Sequence, residues 1–153
     1  MVDNKKTTIV FGILLLIMTN TVFAQKKSNA KNDGSGQEIL FQGKSWRETL
    51  AQAKITDKYI FVDAYTTWCG PCRLLKSTTF RDKSTVVFFN ENFINYAVDM
   101  EKGEGVVLAE KWNVTAYPSL LFFSPDGKMV LKQIGYLDGK KLIEFGKQAL
   151  EKK

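Results

Sequence analysis

No histidine occurs among the 153 residues, and cysteine occurs only twice, at Cys69 and Cys72. The first absence removes the commonest general base and the commonest metal ligand. Two cysteines are too few to staple a small secreted scaffold. A zinc site wants four ligands, usually Cys and His, so no resident metal is expected. The chain also lacks an apolar run long enough to span a bilayer: residues 9–18 are unbroken but stop far short of the roughly 20 that a spanning helix needs. Its formal charge is +6. Many lysines cluster near the two ends, at Lys26, Lys27, Lys31, Lys140, Lys141, Lys147, Lys152 and Lys153. No recognition motif or basic face accompanies them, so they read as solvated charges and no nucleic-acid partner is expected.

What is present begins with an address. Lys5 and Lys6 precede the apolar run, and Val22-Phe23-Ala24 supplies a small-residue cleavage site. Residues 1–24 therefore read as a signal peptide, cut between Ala24 and Gln25. No Cys follows Ala24, which excludes bacterial-type lipid attachment there. The expected destination is periplasmic or secreted, with no stable membrane insertion after cleavage. Residues 25–37 are polar and aperiodic and read as a flexible leader. Residues 38–153 then form one domain, with an apolar fraction of 44% over the whole chain that is ample for a core.

Within that domain, 38–41 reads as a short edge strand. Ser45-Trp46-Arg47-Glu48 is a capping box opening a helix over 45–54, with Trp46, Leu50 and Ala53 on one face. Residues 59–65 are a short apolar run interrupted by Asp63, as in a central strand buried on both faces. Pro71 stands where a first helical turn tolerates proline, and a helix should run from there to about Phe80. Asp82 can cap a second helix. Strands are expected at 93–99, 119–123 and 128–136, a helix at 104–112, and a last helix capped by Asp138. Strands alternating with helices give an α/β fold with a mixed sheet and helices on both faces.

The chemistry lies in Trp68-Cys69-Gly70-Pro71-Cys72. A helix N-terminus presents free N–H groups and a partial positive charge, which stabilise a thiolate at Cys69 below its free pKa of about 8.5. Arg73 adds a cation. Cys72, one turn on, can attack a mixed disulfide formed at Cys69 and so resolve it. A static disulfide, half of a metal site or two inert thiols are the alternatives.

Trp-Cys-Gly-Pro-Cys after a strand resembles the active-site motif of the thioredoxin superfamily, and the resemblance spans about residues 45–150. It implies the thioredoxin fold: a central mixed β-sheet of four to five strands flanked by helices. Cys69, Cys72 and Asp63 would then be catalytic, with Asp63, a buried acid six residues before Cys69, taking the Cys72 proton. Trp68, Gly70, Pro71, Tyr117, Pro118 and Gly135 would contact substrate. Tyr117-Pro118 occupies the place of the family's cis-proline loop, and Gly135 that of a glycine beside which a partner's backbone can pass. Thr79-Phe80-Arg81-Asp82 with Val86 resembles the C-terminal domain of DsbD-type transmembrane reductases. Three departures stand out: Asn95 where a lysine usually faces the buried acid, Ser77 in place of a helix-interior proline, and Tyr65 in place of a common Trp. The activity implied is reduction of protein disulfides without a cofactor, recharged by a transmembrane thiol reductase. A disulfide oxidase or isomerase, or a non-catalytic peptide-binding module, is the alternative.

Overall fold

The computed structural model describes residues 37–152; the expected signal peptide and all but the last residue of the expected leader lie outside it. In chain order the elements are α1 (Trp46–Thr56), β1 (Tyr59–Tyr65), α2 (Gly70–Ser77), α3 (Lys83–Asn92), β2 (Phe93–Asp99), α4 (Glu104–Lys111), β3 (Ser119–Phe123), β4 (Met129–Ile134) and α5 (Gly139–Leu150). The four strands form one sheet in the order β2-β1-β3-β4. β1 runs parallel to β2 and antiparallel to β3, and β4 is antiparallel to β3. This is the mixed, helix-flanked sheet of the thioredoxin fold.

The alternation of side chains along the central strand divides the core in two. Ile60, Val62 and Ala64 of β1 join Trp46, Ala53, Tyr96, Leu108 and Trp112, on the face covered by α1 and α4. Phe61 points the other way, into a cluster with Leu75, Phe80, Val86, Phe89, Phe122 and Leu142, under α2, α3 and α5. Asp63 and Tyr65 share the side of Phe61, so the one carboxylate in β1 faces α2. β1 is buried from Ile60 to Ala64, as its near-continuous apolar run requires.

Helix starts follow the caps. The Ser45 hydroxyl accepts from the Glu48 N–H at 3.3 Å while Glu48 accepts from the Ser45 N–H at 2.9 Å. Asp82 and Asp138 accept from the Thr85 and Lys141 N–H groups, each at 2.9 Å. Two expectations need correction. Residues 38–41 make no strand ladder. Phe41 forms a single parallel bridge to Asn95, and the Ile39 N–H turns instead to the Phe80 carbonyl at 2.9 Å. The helix after Pro71 stops at Ser77 rather than Phe80. There the Leu74 carbonyl accepts from the Ser77 hydroxyl, the Thr78 hydroxyl and the Thr78 N–H at 3.2, 2.6 and 3.0 Å, and the chain tightens into a 3-10 turn over Thr79–Arg81. Hydroxyls that compete for a backbone carbonyl favour such an ending.

Candidate active site

β1 delivers the chain to the N-terminus of α2, and the two cysteines sit there. Cys69 is the N-cap of α2, Gly70 its first residue, and Pro71 lies in its first turn. Proline costs nothing at that position because the N–H it lacks has no intrahelical acceptor. Cys69 and Cys72 are joined by a disulfide of 2.05 Å. The Cys72 N–H points at Cys69 Sγ from 3.1 Å. That contact makes the expected electrostatics concrete: a free helix N–H aimed at sulfur favours its anionic form. The Arg73 guanidinium folds back to donate to the Thr67 carbonyl at 3.3 Å, which holds a positive charge beside the helix start.

Both cysteines are buried. In the disulfide form Cys69 is 3% exposed and Cys72 1%. Trp68 is 63% exposed; its ring stands edge-on to Tyr117 at 5.9 Å, and its indole N–H donates to Glu101 at 2.9 Å.

The 117–118 loop joins the same end of the sheet. Ser119 pairs with Ala64 at the close of β1, so Pro118 lies beside the segment that leads to Cys69. The Tyr117–Pro118 peptide bond is cis. The Pro118 carbonyl accepts from the Gly135 N–H at 2.8 Å, which places Gly135 next to it. Gly135 has φ +97°, where an L side chain is strained, and nothing stands within 4 Å of where a Cβ would lie. The backbone here is open to an approaching chain. Ile134 and Tyr136 flank Gly135 and are exposed, as is Leu74 on α2, and the Tyr136 hydroxyl lies 3.4 Å from that of Thr78. Trp68, Leu74, Ile134 and Tyr136 are thus exposed apolar side chains at this end of the molecule, with Tyr117 half-buried and Pro118 buried.

Asp63 is fully buried, and neither carboxylate oxygen finds a hydrogen-bond partner among the described residues. Burial pushes its pKa up from 3.8 to about 7, and the positive charge of Lys76 draws it back part of the way. The Asn95 expectation is also corrected here. The β2 residue in register with Asp63 is Ala97, while Asn95 pairs with Phe61 and donates to the Phe89 carbonyl and to Asn90, at 3.4 and 3.2 Å. The nearby cation comes instead from α2. Sequence reasoning passed over Lys76 and over Glu101, the partner of Trp68. Lys76 carried one legible signal: it is four residues after Cys72 and so shares its side of the helix. Glu101 carried none, since its contact joins distant loops. Among the described residues no cluster of three or more His, Cys, Asp or Glu could hold a metal ion.

The sequence profile of the thioredoxin-like domain matches residues 46–150. The H-type thioredoxin of Picea mariana is 35% identical over 92 residues, covering 59% of this chain and 66% of that protein. The thioredoxin of Mycoplasmoides gallisepticum is 31% identical over 99 residues, covering 63% of this chain and 89% of that protein. The thiol:disulfide interchange protein DsbD of Pseudoalteromonas atlantica is 27% identical over 115 residues, which is 72% of this chain but 19% of that protein. Among solved structures, a Bacteroides thetaiotaomicron protein put forward as a disulphide-isomerase is 42% identical. It superposes with a TM-score of 0.68, over 77% of this chain and 98% of that one.

Proposed function

This chain belongs to the thioredoxin-like domain family of disulfide oxidoreductases, and from that premise we propose that it reduces protein disulfides outside the cytoplasm. The observation that carries the reading is the Cys69–Cys72 disulfide at the N-terminus of α2, with the Cys72 N–H on Cys69 Sγ. In the reduced protein the Cys69 thiolate attacks a substrate disulfide, forms a mixed disulfide and expels one substrate thiolate. Asp63 then takes the Cys72 proton. The Cys72 thiolate attacks Cys69 Sγ, the bond from Cys69 to substrate breaks, and the second substrate thiolate leaves. Two electrons pass from the cysteine pair to the substrate, so no cofactor is required.

Tyr117, held by the bond to Pro118, offers its backbone to an extended substrate segment that Gly135 leaves room for, and main-chain pairing of that kind accepts many sequences. Trp68, Gly70 and Pro71 form the rest of the contact surface. Gly70-Pro71 between the cysteines favours the reducing direction, since thioredoxin, with the same pair, sits at about −270 mV against about −120 mV for strong oxidants. A reductant in an oxidising compartment must be recharged, and the likeness to DsbD supports a transmembrane thiol reductase as donor. The signal-like segment over 1–24 supports export. Among the described residues no helix is long and apolar enough to cross a membrane.

The 42% identical Bacteroides protein favours one second reading, disulfide isomerisation. The two readings separate in one set of assays. A reductase lowers the insulin disulfide in the presence of dithiothreitol and has a Cys69–Cys72 potential near that of thioredoxin; an isomerase recovers scrambled ribonuclease and sits higher. Cys72→Ser should trap mixed disulfides and Cys69→Ser should not. Insulin reduction that survives loss of both cysteines would overturn the proposal.

A further inference from the structure

The Lys76 ammonium lies over the ring of Tyr65, 3.4 Å from its centroid. Tyr65 is two residues beyond Asp63 on β1, so both side chains stand on the face that α2 covers. Lys76 also lines a cleft of about 450 Å³, together with residues 38–41, Phe80, Arg81 and Ala97. Ala97 is the register partner of Asp63. The cleft thus opens from solvent toward the strand positions that enclose the buried acid, and Lys76 stands at its side. A long side chain commonly keeps its stem on the surface while its charged end takes a preferred seat, and an aromatic face is such a seat for a cation.

We infer that Lys76, seated on Tyr65 and lining the cleft beside Ala97, is a positioning residue for proton transfer at Asp63. The inference rests on Asp63 acting as proton acceptor only for its consequence in catalysis, not for the electrostatic effect. The surroundings of Asp63 leave few rivals. From β3 the register partner is Leu120, and β3 carries no charge. From β2, Ala97 is apolar, Asn95 is engaged with Phe89 and Asn90, and Asp99 is level with Tyr65. Burial first, and then the Asp99 and Asp63 carboxylates, push the Tyr65 pKa up. At the cleft rim Arg81 is paired with Glu38 at 3.4 Å, both well exposed. α2 supplies the cysteine pair and Lys76, and Lys76 is the cation whose charge acts on Asp63.

The effect should show in the resting, oxidised protein, where no exchange chemistry occurs. The test is a titration of the Asp63 side-chain carboxyl by ¹³C NMR in aspartate-labelled protein, with Asp63→Asn identifying the signal. Lys76→Met should move the midpoint to more alkaline pH by about one pH unit. Lys76→Arg, which keeps the charge and can stack on Tyr65, should leave it within a few tenths. Because Lys76 is reached by solvent, 0.5 M salt should shift the wild-type midpoint in the alkaline direction and leave the Lys76→Met protein nearly unmoved. With Asp63 half ionised near pH 7, the same shift predicts about a five-fold slower resolution of the mixed disulfide by Cys72 at pH 7, recovered at higher pH. A midpoint that stays in place in Lys76→Met, or moves equally in Lys76→Arg, overturns the inference. A shifted midpoint with an unchanged resolution rate upholds it and removes Asp63 from the proton-transfer role instead.

Discussion

A carboxyl group enclosed by Ala97, Leu120 and α2, with no hydrogen-bond partner among the described residues, keeps its proton to a much higher pH than one in water. Its pKa of about 7 in the folded protein against 3.8 in an ordinary setting makes this a statement about folding. Below pH 4 both folded and unfolded chains hold the proton, and Asp63 has no effect on the balance. Between pH 4 and 7 the unfolded chain releases it while the folded one keeps it, so stability falls as pH rises. Above 7 the loss levels off at about 4 kcal/mol. Asp63→Asn keeps the shape and removes the titration. Urea unfolding of the oxidised proteins at pH 5 and pH 8 should show a drop for wild type that exceeds the variant's by about 2–3 kcal/mol, and equal responses would show that Asp63 is not its source. The same acid that costs stability at neutral pH is ready there to exchange a proton.

At the scale of elements, the layer opposite the cysteines is tied together by one residue that no local pattern marked. Glu104, in the first turn of α4, accepts from the Trp46 backbone N–H at the start of α1 at 3.0 and 3.1 Å and from the buried Tyr96 hydroxyl of β2 at 2.8 Å. Glu104→Ala would strip a cap and leave that hydroxyl unpaired, at a cost of about 1–3 kcal/mol in urea unfolding. Insulin reduction should be untouched, since α1 and α4 lie across the sheet from Asp63. What was legible and what was not divides along the same line. β1, β2 and β3 have the bounds that their short apolar runs indicated, and Ser45, Asp82 and Asp138 cap the helices they were expected to cap, because these signals are local. The 38–41 segment departs from the expected strand because a short apolar run cannot say whether successive N–H groups meet one partner strand. Here Ile39 bonds to Phe80 and Gln42 to Asn95. Asp63 and the cysteine pair were readable from a motif. Lys76 and Ala97 were not, because which residue faces Asp63 depends on the β1–β2 register and on how α2 lies over the sheet.

For the molecule as a whole, the redox chemistry and the stability of the fold are two sides of one cycle. Oxidised and reduced chains can each be folded or unfolded, so the free energy around the four states must close. A folded environment that holds the Cys69–Cys72 disulfide at 5.3 Å between Cα atoms, with both sulfurs buried, changes the potential of that pair from its value in the unfolded chain. The difference equals the difference in folding stability between the two redox forms, at about 1.4 kcal/mol for each 30 mV. The helix N–H aimed at Cys69 and the neighbouring Arg73 favour a thiolate, which by itself stabilises the reduced form. Ionised Asp63 opposes a second negative charge beneath α2 and weighs toward the disulfide. If the chain is a reductant, as proposed, the second group of effects must win, and the oxidised protein must be the more stable form. Paired urea titrations at pH 7, with and without excess dithiothreitol, should therefore place the oxidised midpoint above the reduced one. The free-energy gap should match the folded and denatured potentials measured against glutathione. Asp63→Asn should narrow that gap. A reduced form more stable than the oxidised form would mean that folding makes the pair an oxidant, and the electron flow proposed for this protein would run the other way.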